Sequence, residues 1–531
     1  MGVESRIGLP SVEAAESWLG KKSAGLERIK VVLCLCIVFY VVVFSILTIL
    51  RHYAFKTQAW DLGIFTQSFW TTLNGKGLFY HTCELIIHPS GSFFGVHFSP
   101  VLFLILPLYW LLPTSETLLV LQSLVLALAA IPICKLAKEN LGGKFYGLVF
   151  AIAYLVYPAT QTVNLYDFHV QAFLPLFLAF TIYYVFKESW AKYFLFMFLA
   201  LMVEEHAAQV FFFVGIYIAW KYRVSIVSAA RTRKYLEPKL LISIVTIMIS
   251  IIWYWFTIWQ RDTFFPVNPA TLDMFLSGDN FKILGARNPL EIPLLVVLRP
   301  LNAMQALAYD GGLKLLYLIV VFGPLAFFSL RSPFALLPTL PWFGFSLLSQ
   351  AAAHHMLGFH YESYIVSFVF VAAILALGKR PLRNVKSSLR VMIVFSVIFF
   401  FMVSPLSPIS VSSSGSVVAN VGAHELLLNQ IVAMVPPNAS ILTQNNIFPH
   451  MSNRLDAYVV PDPWLNTAIH DIVVDFVNQT ISKVEYVLID SETDSTAAFL
   501  VLSLLQTRAE FTLTVSQDGG TILLYKRMSN G

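Results

Sequence analysis

Six of the twelve histidines and several carboxylates crowd the ends of apolar segments: Asp61 in AWDLGIFTQSFW, His97 in HFSP, Asp167-Phe168-His169, Glu204-Glu205-His206, His354-His355 and His360-Tyr361-Glu362. Carboxylate and imidazole together can move protons near neutral pH, ligate a divalent cation or donate to phosphate. Ionisable groups at membrane depth are costly, so their gathering at one face signals a functional site. Each also has a plainer reading. Asp61 is a candidate general base, or the cap of the helix that follows it. In an extended loop Asp167 and His169 project to one side as an oxygen and a nitrogen ligand; alternatively Asp167 caps a helix and His169 faces lipid headgroups. Successive helical residues point about 100° apart, so at most two of Glu204, Glu205 and His206 face one site, and Glu205 with His206 is the favoured pair. A solvated hairpin tip is the competing view. Arg299, alone in LLVVLRPLNAM, can clamp a phosphate or snorkel to the interface.

The elements that must position these groups are membrane helices. The chain of 531 residues is 57% apolar and 12% charged, with mean hydropathy +0.71, where soluble proteins carry roughly 25% charged residues. Apolar runs long enough to cross about 30 Å of hydrocarbon recur from Ile29 to Pro405, which excludes a soluble multidomain enzyme. About eleven spans fit: 29 to 50, 116 to 134, 145 to 158, 170 to 186, 193 to 203, 207 to 220, 240 to 260, 314 to 330, 333 to 349, 361 to 378 and 391 to 405. Segment 98 to 113, short and carrying Pro100, Pro107 and Pro113, is expected to dip into the membrane. The helix bearing Asp61 is expected to lie along the interface on Trp60, Ile64, Phe65, Phe69 and Trp70.

Most of the 35 Lys and Arg fall on the cytoplasmic side if the N-terminus is cytoplasmic, most clearly in loops 221 to 239 and 379 to 390. That topology puts every histidine on the outer side. It gives a transmembrane domain over 1–405, with residues 51–115 as its first outer loop. A soluble extracytoplasmic α/β domain follows over 406–531, after the Ser-rich stretch SVSSSGS. Strand candidates there are ASILTQ, DAYVVP, VEYVLID, FTLTVSQ and TILLYKR, with a helix at 496 to 508. The four scattered cysteines show no disulfide or zinc spacing, and the basic residues are accounted for by topology without nucleic acid.

DLGIFTQSFW, HFSP, YDFH, FHYES and NNIFPHMSNR together resemble a prokaryotic membrane-protein family of unknown function. That family is grouped with the GT-C glycosyltransferases, such as the dolichyl-phosphate-mannose protein mannosyltransferases and the lipid A aminoarabinose transferase. The resemblance implies a sugar transfer from a polyprenyl-phosphate donor to a protein, glycan or lipid acceptor at the outer membrane face, with inversion. It implies Asp61 as catalytic base, Asp167 as the second acidic loop and Glu205 as the later helix-turn acid. Glu204-Glu205-His206 departs from the Lys-Glu-Asp form expected at that turn. Donor or acceptor contacts are expected from His97, Arg299, His360 and Tyr361. A manganese or magnesium ion, if used, is expected on Asp167, His169, Glu205 and His206. The competing function is a secondary transporter coupled to protons through the same acids, or a membrane-anchored binding protein without catalysis. No inverted repeat is visible, and the acids gather at one face and not at the midplane, which favours the transferase.

Overall fold

The structure, a computed structural model, describes residues 12–232, 237–268, 271, 278–286, 289–409, 418–461 and 470–528. The Ser-rich stretch 410–416 and part of loop 221 to 239 lie outside the described residues.

The chain is mostly helical. Four helices are long and apolar enough to cross a membrane: Glu27–Tyr53, Ser115–Leu141, Pro238–Phe264 and Arg383–Val403. Three further pairs pass that test only when both arms of a bend are taken together: Lys144–Leu155 with Pro158–Leu165, Ala207–Lys221 with Arg223–Arg231, and Pro300–Ala308 with Gly311–Leu325. The other expected spans are shorter apolar helices at Val170–Phe186, Trp190–Leu201, Pro333–Leu348 and Val366–Gly378. Every apolar run read from the sequence is therefore helical, but several are broken. The first bend, of 44°, falls at Pro158, whose ring cannot sit in a helix interior without removing a hydrogen bond. The apolar segment with three prolines forms only Leu102–Leu111, about 15 Å of helix, roughly half the hydrocarbon thickness.

Val366–Gly378 is apolar on all sides, and nearly all of its residues are buried, as expected for a helix at the centre of a bundle. Ala207–Lys221 and Pro238–Phe264 meet closely at Gly215, where a Cβ would lie 2.5 Å from Ile247. The Ser243 hydroxyl donates to the Gly215 carbonyl at 2.8 Å. A small residue at a helix crossing lets two backbones approach and lets a hydroxyl bridge them. The opposite face of the long helix leaves Ile251, Ile252, Trp255 and Trp259 exposed, as a lipid-facing surface requires.

All five strand candidates are strands: β1 (Ile441–Thr443), β2 (Ala457–Val459), β3 (Tyr486–Asp490), β4 (Phe511–Gln517) and β5 (Ile522–Arg527). They form one sheet in the order β2-β1-β3-β5-β4. β1 runs parallel to β2 and β3, and β5 is antiparallel to β3 and β4. The helix Ser495–Leu505 falls where its periodicity put it. The segment after β1, Gln444 to Arg454, leaves the sheet and packs on the helical part. That contact corrects one expectation. Helix Ile64–Leu73 does not rest on lipid; its polar residues Thr66, Gln67, Ser68 and Thr71 are buried as completely as Ile64, Phe65 and Phe69. Thr66 Oγ1 lies 2.5 Å from Ser452 Oγ, and Gln67 Nε2 donates to the Ala457 carbonyl at 2.9 Å. Of the five residues expected at the interface, Ile64, Phe65 and Phe69 are buried in protein, and only Trp60 and Trp70 keep partial exposure.

Candidate functional site

Asp61 stands on a five-residue π-helical turn, Ala59–Gly63, closed by the Gly63 N–H donating to the Gln58 carbonyl at 3.1 Å. Such turns are rare, and they concentrate at functional sites because they re-aim a side chain without ending the helix. Gly63 is required here, since a Cβ would meet Phe448 at 2.7 Å. Asp61 Oδ1 lies 3.0 Å from His169 Nε2, and the Tyr166 hydroxyl donates to Oδ2 at 3.1 Å. His169 Nδ1 lies 3.1 Å from the Asp167 carbonyl oxygen. A ring with an acceptor oxygen at each nitrogen is best satisfied as imidazolium, which has two donors. Burial opposes that charge, but Asp61 beside it raises the His169 pKa.

Asp167 does not face the same way as His169. Its Oδ2 accepts the Gln58 N–H at 2.5 Å. Burial, with the Asp61 charge adding to it, pushes the Asp167 carboxyl up to about 8. The loop carrying both residues is held by Gln122, from Ser115–Leu141. Its Oε1 accepts the His169 N–H at 2.9 Å and its Nε2 donates to the carbonyls of Tyr166 at 3.0 Å and Asp167 at 3.3 Å.

The second group forms where helices Trp190–Leu201 and Ala207–Lys221 meet. Glu205 Oε1 lies 3.0 Å from His97 Nδ1, and its Oε2 accepts the Phe98 N–H at 3.2 Å. His206 Nε2 is 4.0 Å from Glu205 Oε1. Burial works against the Glu205 charge, but His97 beside it holds the carboxyl down to about 2. Burial likewise opposes protonation of His97, and Glu205 outweighs it, raising His97 to about 9. The adjacent Glu204 is buried, is bonded by Gln171 and is shifted upward by desolvation. One ligand atom from each of His97, Glu205 and His206 falls within 4.8 Å of the others, close enough to hold one cation.

A cavity of about 380 Å³ lies against the second group, lined by His97, Gln171, Glu204, His206, His354, His360, Tyr361 and Tyr364 among others. His360 links it to Asp61, since its ring stacks on His169 with centroids 4.0 Å apart and 14° between planes. Burial and the neighbouring histidines keep His360 well below the usual imidazole range. A second cavity of about 370 Å³ adjoins the first and shares Gln209, Pro341 and Phe345 with it. Its remaining walls are mainly apolar, including Phe212, Phe213, Ile251 and Trp255.

The structure thus brings Asp61, Asp167 and His169 into one cluster, and His97, Glu205 and His206 into another, with His360 and Tyr361 on the wall of the cavity beside the second and His360 stacked on His169 of the first. Arg299 is not brought there. It is exposed, with Nη1 3.4 Å from the Leu284 carbonyl. Among the described residues the expected ligand set does not form one group: Asp167 and His169 are engaged around Asp61, and His97 takes their place beside Glu205 and His206. Sequence reasoning missed Tyr166, Gln122, Gln171 and Asn445. Asn445 Oδ1 accepts the Ala59 N–H at 2.7 Å and its Nδ2 donates to Gln58 Oε1 at 2.5 Å, so the loop after β1 grips the turn that carries Asp61. Tyr166 and Asn445 lie inside the short motifs YDFH and NNIFPHMSNR, the one signal that pointed to them.

Residues 51–522 match the family described as "Predicted membrane protein (DUF2079)". No curated protein matches the chain. Among solved structures, ArnT from Cupriavidus metallidurans bound to undecaprenyl phosphate superposes with a TM-score of 0.52 at 11% identity, covering 94% of this chain and 98% of that one. The apo state of the same ArnT gives a TM-score of 0.42 at 11% identity, over 92% and 98% of the two chains. At that identity the likeness to the lipid-bound form is one of fold.

Proposed function

This chain belongs to the DUF2079 family of predicted membrane proteins, and on that premise we propose that it is a membrane glycosyltransferase using a polyprenyl-phosphate-linked sugar. The observation that carries the reading is the pair of adjoining cavities. One is lined by four imidazoles and the Glu204 carboxylate and the other mainly by apolar side chains, with Gln209, Pro341 and Phe345 common to both. That arrangement matches a donor with a charged, sugar-bearing head and a long apolar tail. The ArnT fold, seen with undecaprenyl phosphate bound, supports it.

Asp61 is the proposed base. A carboxylate retains acceptor capacity beyond the bonds from Tyr166 and His169, so it can take the proton of an acceptor hydroxyl. The acceptor oxygen attacks the anomeric carbon, a new C–O bond forms there, and the bond from that carbon to the phosphate oxygen breaks. The electron pair leaves with the polyprenyl phosphate and the proton stays on Asp61. A single displacement inverts the sugar. His169 holds Asp61 in position through its Nε2, 3.0 Å from Oδ1. On the far wall, His97 and His206 supply donors for the departing phosphate.

A divalent cation fits His97, Glu205 and His206, whose two imidazoles favour manganese over magnesium. Bound there, it would supply positive charge facing the phosphate. We assign the reaction to the outer membrane face, a reading supported by the distribution of Lys and Arg among the loops. The test is transfer from a radiolabelled polyprenyl-phosphate sugar in membranes from cells overproducing the chain. A labelled product above the level of control membranes is expected; identical label in both would contradict the assignment.

A further inference from the structure

A third cavity, of about 520 Å³, lies at the other end of the bundle, lined in part by Asn140, Trp220, Lys221, Ser332, Phe334 and Lys379. Helix Ala207–Lys221 has its first residues at the apolar cavity beside the histidines and its last at this one. At about 1.5 Å per residue, the two ends stand roughly 20 Å apart. Helix Val366–Gly378 connects them the same way, with Tyr361 and Tyr364 before it and Gly378 and Lys379 at its end. No step of the proposed transfer reaches this far.

We propose that this third cavity binds the phosphate of an anionic phospholipid headgroup, through Lys221, Lys379 and Ser332. Three observations converge on that chemistry. First, the cavity carries uncompensated positive charge. Among the described residues neither Lys221 nor Lys379 makes an ion pair. The nearby carboxylates are already taken, Glu139 by Lys187 at 3.0 Å and Glu188 by Lys239 at 2.9 Å. Lys221 rests its ammonium over the rings of Tyr222 at 4.1 Å and Phe186 at 4.5 Å, which orients it without neutralising it. Arg331 and Arg380 stand close by, both over the Phe328 ring.

Second, Ser332 is 5% exposed, and its hydroxyl has no hydrogen-bond partner although it lines the cavity. An unpaired buried hydroxyl is unfavourable, and a phosphate oxygen is an acceptor that would satisfy it. Third, the wall beside these groups is aromatic and opens outward. Trp220 stacks on Phe334 with centroids 4.3 Å apart, and Phe334 is 45% exposed. Acyl chains can leave along that surface. A free phosphate would need the cations and the hydroxyl but not the aromatic exit. Lysines that merely snorkel would need neither a cavity nor a buried hydroxyl.

The experiment measures thermal unfolding of the full chain in detergent, titrated with phosphatidylglycerol, phosphatidylcholine or inorganic phosphate. Phosphatidylglycerol should raise the unfolding temperature, and the other two should do so much more weakly. The double variant Lys221→Gln/Lys379→Gln should need about 25-fold more phosphatidylglycerol for the same shift, on the order of fivefold for each ammonium lost. Lys379→Gln alone, at an exposed position, is expected to fold and to show the single step. Ser332→Ala should weaken the response, and Lys221→Arg/Lys379→Arg should retain it. An undiminished response in Lys379→Gln, or equal stabilisation by phosphatidylcholine, would overturn the site. A response to inorganic phosphate as large as that to phosphatidylglycerol would overturn the lipid as its source.

Discussion

Asp61 with His169 and Glu205 with His97 are two carboxylate–imidazole pairs, each 3.0 Å across, and they differ in what surrounds them. Glu205 is nearly enclosed. Its second oxygen is fixed by a backbone N–H, and His206 stands 4.0 Å away. It sits as a permanent charge among possible cation ligands. The second oxygen of Asp61 faces a phenol, and its carboxylate rides on a π-turn gripped by Asn445 from the sheet region. Each pair also has an acid neighbour that burial pushes toward the neutral form, Asp167 beside Asp61 and Glu204 beside Glu205. In the proposed reaction these surroundings give the two pairs separate roles, Asp61 to accept a proton and Glu205 to hold the positive charge of His97 or of a cation opposite a phosphate.

The sharpest break in that comparison is Asp61→Asn, which keeps the shape and removes the base. Sugar transfer should fall by about 10²- to 10⁴-fold, with unfolding temperature close to that of the parent chain. Next comes the cation. Chelation should lower transfer on the order of 10- to 100-fold, manganese should restore it better than magnesium, and Glu205→Gln should no longer respond to either. Activity unaffected by chelation in the parent chain would remove the cation from the second group.

A smaller effect is expected from Asn445→Ala, which leaves the Ala59 N–H without its acceptor. Transfer should drop on the order of tenfold through kcat, with KM nearly unchanged, because misplacing a base costs rate and not affinity. Hydrogen exchange at Ala59 should quicken, and unchanged exchange would detach the sheet region from the site.

The smallest expected effect is on stability. His97 sits at about 9 against an ordinary 6.5, and Glu205 at about 2 against 4.5. Their pairing stabilises fully from about pH 4.5 to 6.5. Above that window the unfolded chain releases the His97 proton while the folded chain keeps it, so the contribution fades as pH rises toward 9. Below it, the contribution fades as pH falls toward 2. The unfolding temperature should therefore decline between pH 6.5 and 9 more steeply in the parent chain than in His97→Gln. Parallel curves would show the pair to be neutral.

How legible all this was in the sequence depended on the range of the forces involved. The strands announce themselves because alternation and the Asp518-Gly519-Gly520 turn are local signals, and the spans do so because burial in hydrocarbon needs unbroken apolar length. Asp61, Asp167 and Glu205 stood out because an acid at the end of an apolar run is costly. Gln122 and Asn445 did not. A single Gln in an apolar helix and an Asn in a loop carry no periodic signature, and Asn445 reaches its partner Ala59 across 386 residues. The helix after Asp61 read as interfacial because its apolar stripe was visible, and the protein layer covering its other face was not. His97 as the partner of Glu205 was hidden likewise, since only folding carries HFSP to the Glu204-Glu205-His206 turn.

The difference between the two pairs can be measured in one set of membranes, in which Asp61→Asn and Glu205→Gln are each assayed for binding of a polyprenyl-phosphate sugar and for release of polyprenyl phosphate from it. If Asp61 is the base and Glu205 the group that holds positive charge opposite the phosphate, Asp61→Asn binds donor like the parent chain but releases almost no polyprenyl phosphate, while Glu205→Gln binds donor more weakly. Polyprenyl phosphate release by Asp61→Asn within about tenfold of the parent chain would contradict that assignment.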